Sequence, residues 1–162
     1  MNKVVGDAGE ARVAALLRGR GYDVTEIGGN FPTIDLVVQG SSDFRVSVKT
    51  SVSKRHVRLG TPKSVFALLD SDFVFAFMPK IGDPTIDLDR GRYDLWIVPG
   101  SIARADALWV HQTYLDVRVG EASSSSGNAG ILVKSYSRRG PQVETWRRWE
   151  GYLDRWDVLP AP

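Results

Sequence analysis

The chain has 162 residues, of which 43% are hydrophobic and 25% charged, with a net charge of +2. That balance excludes general disorder, and the length suits one domain with a real core, spanning 1–162. The absence of cysteine excludes disulfides, thiolate nucleophiles and cysteine-bound zinc and fits a reducing cytoplasm, while no run reaches membrane-spanning length and the first residues lack a signal-peptide core.

The spacing of Val13, Leu16 and Leu17 predicts a helix over residues 7–20, with Asp7 as its cap and Gly21 as its stop. A short strand over 22–27 is followed by the loop GGNFP. TIDLVVQ and FRVSVKT then read as two strands joined by the turn GSSD. The polar stretch SVSKRHVRLGTPKS reads as an exposed loop or ragged strand. DFVFAFMP (72–79) and YDLWIVP (93–99) read as strands buried on both faces. A helix is predicted from Ser101, its cap, to Leu115. The low-complexity segment over 120–130 reads as a loop, ILVKSYS as one more strand, and the tail with Trp146, Trp149, Leu153 and Trp156 as a helix with core tryptophans and wet arginines. A helix followed by a short antiparallel sheet opens an α/β (α+β) fold.

Charges inside the two predicted strands carry the chemistry. By strict alternation Ile34, Leu36 and Val38 share one face, as do Val46 and Val48, so Asp35, Ser47 and Lys49 project together from the other. Glu10, Val13, Ala14 and Leu17 follow helical spacing, which sets Glu10 at the top of the apolar stripe, near Asp35 once the helix packs on the hairpin. Paired carboxylates suit a hard divalent cation, and a neighbouring lysine can position a water nucleophile, the parts phosphodiester hydrolysis needs. Taken singly, each charge has a plainer explanation: a wet strand edge for Asp35 and Lys49, a helix-dipole partner for Glu10.

GDAGEARVAALLRGRGYDV followed by TIDLVV and RVSVKTS resembles the PD-(D/E)XK nuclease superfamily, its Holliday-junction-resolvase-like and small endonuclease-like members above all; the likeness covers residues 6–51. The resemblance implies a restriction-endonuclease-like core with a central mixed sheet flanked by helices. It implies catalytic Glu10, Asp35, Ser47 and Lys49, with Mg²⁺ (or Mn²⁺) held by Asp35, Glu10 and the Val48 carbonyl. Thr50 and Ser51 match the small hydroxyl residues that often follow the lysine. The implied activity is metal-dependent hydrolysis of DNA, with a homodimer as in resolvase-like relatives. Lys54, Arg55, His56 and Arg58 beside the motif are candidate phosphate contacts. Two lone histidines make no zinc site, and His111, on a predicted helix, reads as structural. The sequence departs from the motif at Ser47, where the family has an acid. Either Glu10 and Asp35 hold the metal alone, or another acid (Glu26 before Asp43) has moved in, or the protein is a weak or inactive module that binds nucleic acid or a protein partner.

Overall fold

A computed structural model describes residues 3–27, 31, 33–52, 55–117, 130–132 and 143–162. Helix α1 (Lys3–Arg18) is followed by strands β1 (Asp23–Glu26), β2 (Leu36–Gln39), β3 (Phe44–Thr50) and β4 (His56–Arg58). Helix α2 (Pro62–Phe66), strands β5 (Phe73–Met78) and β6 (Asp94–Pro99), helix α3 (Gly100–Val117), strand β7 (Gly130–Leu132) and helix α4 (Val143–Glu150) complete the order, with a 3₁₀ turn at Trp156–Val158. Five strands form one mixed sheet in the order β1-β2-β3-β5-β6, and β4 pairs with β7 in a separate ribbon. β1, β2 and β3 form an antiparallel meander, β5 joins β3 in parallel, and β6 closes the far edge antiparallel to β5. A central mixed sheet flanked by helices is the architecture that the nuclease resemblance implies.

The sheet separates two cores. Val13, Ala14 and Leu17 of α1 pack with Val24, Leu36, Val38, Val46, Val48, Phe75 and Phe77 on one face. On the other, α3 and Trp149 of α4 pack with Val57, Leu59, Val65, Val74, Ala76, Trp96 and Val98. Every residue of β5 is buried, as a strand covered on both faces must be.

Several boundaries differ from those read in the sequence. α1 begins at Lys3, so Asp7 lies inside the helix and does not cap it. Gly21 does end the turn that follows, at φ 92°. The polar stretch after β3 holds both β4 and α2, the latter started by Thr61, whose hydroxyl accepts from the Ser64 N–H, and by Pro62 at its first position. Ser101 lies within α3, which starts at Gly100. The tail helix stops at Glu150, and Trp156 crosses to the α1 face, where the Arg20 guanidinium lies 3.5 Å from its ring centre. β7 covers only the start of the strand expected at ILVKSYS; residues 118–129, with nearly all of the low-complexity segment, and 133–142 lie outside the described residues. Among the described residues no helix is long and apolar enough to cross a membrane.

Candidate active site

The parallel pair β3 and β5 ends where α1 begins. Gly9 of α1 sits against Thr50 so closely that a Cβ there would fall 2.0 Å from the Thr50 hydroxyl oxygen. The missing side chain lets the helix approach the carboxyl end of β3, and it brings the next residue, Glu10, over that end. Ligands of open α/β sheets commonly bind outside the carboxyl ends of parallel strands.

Asp35 reaches the same place by a departure from regular pairing. Leu36 is the partner of Val46, yet the Asp35 N–H also donates to the Val46 carbonyl, at 2.9 Å. Two residues of one strand thus oppose one of the next, the arrangement of a β-bulge, which re-aims side chains. Ile34 accordingly packs in the α3 core although Leu36 and Val38 pack in the α1 core. This corrects the expectation that Ile34, Leu36 and Val38 share a face. Immediately upstream Thr33 is held at φ 91°, a strained value for a β-branched residue, with its hydroxyl donating to the Ser64 carbonyl at 2.9 Å.

The Asp35 carboxylate accepts the Val48 N–H at 2.5 Å. An extended residue turns its N–H and C=O toward the same side, so the Val48 carbonyl also looks toward the start of β2. Burial pushes the Asp35 carboxyl above its ordinary value, opposed by the Val48 N–H and by the Lys49 ammonium. Burial also raises Glu10, and the charges of Asp35 and then Asp7 push it further, against Lys49. Glu10, Asp35 and Lys49 therefore lie within one another's electrostatic reach, and neither carboxylate makes an ion pair among the described residues.

Ser47 and Lys49 face away from α1, as alternation requires; their partners across β5 are Val74 and Ala76, both in the α3 core. Ser47 is wholly buried, and its hydroxyl has no hydrogen-bond partner among the described residues. The expected joint projection of Asp35, Ser47 and Lys49 from one face is thus replaced. Asp35 meets Glu10 around the end of the sheet, and the longer Lys49 side chain bears on both.

Of the two substitute acids, Glu26 is the nearer, its charge acting on Glu10. Glu26 is half exposed and paired with Arg18 at 3.1 Å. Asp43 is exposed at the opposite end of β3, six residues and about 20 Å from Lys49. Asp7 is the acid that sequence reasoning assigned only to a cap; its spacing three residues before Glu10 was the available signal. Among the described residues no three His, Asp or Glu side chains could jointly hold a metal ion. Two desolvated, mutually repelling carboxylates and a carbonyl nonetheless fit a hard cation that keeps several of its waters, as Mg²⁺ does.

Of the candidate phosphate contacts, Lys54 lies outside the described residues. Arg55 is exposed before β4, and His56 and Arg58 flank the buried Val57 on the outer face of the β4–β7 ribbon. The Ser51 hydroxyl donates to the His56 carbonyl at 2.6 Å, tying this ribbon to the end of β3. Burial, then the charges of Arg55 and Arg58, hold the His56 imidazole below its ordinary value.

No family model matches the chain, and no curated protein does. Among solved structures, that of a bacterial homing endonuclease is similar, at 16% identity and a TM-score of 0.49 over 98% of this chain and 90% of that one.

Proposed function

We propose that the chain is a single-domain, cytoplasmic, metal-dependent endonuclease that hydrolyses DNA phosphodiester bonds. The observation that carries this reading is the convergence of Glu10, Asp35 and Lys49 at the carboxyl end of β3, under the close approach of Gly9. Asp35, Glu10 and the Val48 carbonyl would hold Mg²⁺ or Mn²⁺. When bound, such an ion acidifies water and neutralises charge on a phosphate.

The remaining roles belong to the chain. Lys49 orients the attacking water by its N–H groups and stabilises the negative charge that grows on the phosphoryl oxygens. The Val48 N–H fixes the rotamer of Asp35. Water oxygen bonds to phosphorus and releases a proton to solvent, one bridging P–O bond breaks, and the departing oxygen takes a proton from solvent. Arg55, His56 and Arg58, with Lys54, would contact flanking phosphates and make binding fall steeply with salt. A homodimer, which would double a small contact surface, belongs to the same reading.

Ser47 supports a second reading. A buried neutral hydroxyl stands where the related enzymes carry an acid. With this site the same fold can bind nucleic acid or a protein partner and cut weakly or not at all. Calorimetry with Mn²⁺ on wild type and Asp35→Ala, followed by cleavage assays, separates the two. Metal binding that Asp35→Ala abolishes, with cleavage that Lys49→Ala abolishes, supports the enzyme. Salt-sensitive DNA binding without cleavage supports the binding module.

A further inference from the structure

Four of the eight large apolar side chains exposed among the described residues gather at the end of the sheet that carries Glu10, Asp35 and Lys49: Val4 (71% exposed), Phe31 (62%), Val52 (68%) and Ile81 (69%). Topology places them there. β3 and β5 are parallel, so Val52 and Ile81 follow their neighbouring carboxyl ends. β2 runs antiparallel to β3, so Phe31 precedes its start at that same end. α1 lays Gly9 against Thr50, and Val4 extends one turn and more beyond it. Singly exposed apolar residues need no explanation, but four at the sheet end that carries one polar cluster do.

Anchored residues lie within two positions of two of the four. Phe31 lies two residues before Thr33, which is tied to Ser64. Val52 follows Ser51, whose N–H donates to the Phe77 carbonyl at 2.9 Å and whose hydroxyl donates to His56. Lys49, Arg55 and Arg58 lie along the same stretch of chain. Apolar faces beside cations suit a polyanion that also presents flat apolar surfaces. A regular duplex hides its base faces in the stack, whereas unpaired or unstacked bases expose them. A dry protein contact fits less well, because it would bury two unpaired carboxylates at its centre.

We infer that the rim formed by Phe31, Val52, Ile81 and Val4 receives unstacked bases, so that the site takes DNA with an unpaired segment in preference to continuous duplex. This rests on the DNA-binding reading of the site and adds its substrate class. The test is fluorescence anisotropy of the full chain with Ca²⁺ as the divalent ion, on a continuous duplex and on the same duplex carrying a short unpaired bubble with a fluorescent adenine analogue. Wild type is expected to bind the bubble about tenfold more tightly and to change the fluorescence of the analogue. Phe31→Ser and Val52→Ser, both at exposed positions, are expected to bring the two affinities close together while leaving the salt dependence of duplex binding in place. Equal binding of both DNAs by wild type, or an unchanged preference in both variants, overturns the inference and leaves the DNA-binding reading standing. No salt-sensitive binding to either DNA overturns both. A wild-type dimer in sedimentation that Phe31→Ser dissociates, with DNA preference unaltered, reassigns the rim to self-association.

Discussion

Two aspartates withdrawn from water mark the two ends of the sheet, and they are treated in opposite ways. Asp72, just before β5, is wholly buried; it accepts both arms of the Arg45 guanidinium at 2.8 and 2.6 Å, and the Leu69 N–H at 2.7 Å. Its own carbonyl takes the Gly100 N–H that starts α3. Asp35, at the other end, has one backbone donor, and a second carboxylate, Glu10, stands near it. One end satisfies its charge internally and holds the fold together. The other sets two carboxylates against one ammonium, Lys49, a net negative charge that suits a cation arriving from outside.

The contrast can be broken most forcefully at Lys49. Lys49→Ala is expected to lower single-turnover DNA cleavage by about 10²- to 10⁴-fold with thermal stability nearly unchanged; wild-type rates in that variant would remove the catalytic assignment. At the satisfied end, Arg45→Met leaves Asp72 buried without its partner and is expected to destabilise the fold by about 3–5 kcal/mol in urea unfolding. Mn²⁺ affinity measured below the transition should stay as in wild type, and a parallel loss of metal binding would show that the two ends are not independent. Gly9→Ala drives a methyl into Thr50 and is expected to cost about 1–3 kcal/mol. It should also weaken Mn²⁺ binding, because Glu10 moves with the helix.

The smallest effect is the pH dependence of Asp35. A carboxyl whose native value is raised binds protons in the folded state that the unfolded chain has released, so stability falls as pH rises from the ordinary value through the native one. Asp35→Asn removes that penalty. Its melting temperature should exceed that of wild type at neutral pH without divalent ions. The gain should vanish below about pH 4. Mn²⁺ should raise the melting temperature of wild type alone; an equal rise in both proteins would place the cation elsewhere.

Much of this end of the molecule is legible in the residues. The apolar stripe through Val13 and Leu17, the alternating β3 and the unbroken apolar run of β5 each follow from periodicity, and they deliver Glu10 and Lys49 to one place. The bulge at Asp35 is not legible, because alternation assumes regular pairing and nothing in PTIDLVV announces an extra residue. The role of the basic stretch is only half visible. Val57 and Leu59 sit among cations in SKRHVRLG, yet both are buried in the α3 core, so local polarity masks an inward-facing strand. Asp72 and Arg45, 27 residues apart in sequence, meet only through the parallel pairing of β3 with β5. The crossing of the tail is likewise tertiary: Trp149 and Trp156 share helical spacing but enter different cores.

The edges of the sheet bear on assembly. Along β6, Tyr152 and Asp154 of the tail occupy backbone groups of Ile97 and Leu95. At the opposite margin β1 is four residues long, carries Asp23 and Glu26, and has its outward Val24 carbonyl taken by Arg18. Among the described residues neither margin offers a long bare ladder to a second sheet. Two copies of this chain would therefore meet through helices or loops, and their sheets would stay separate instead of fusing into one continuous β-structure.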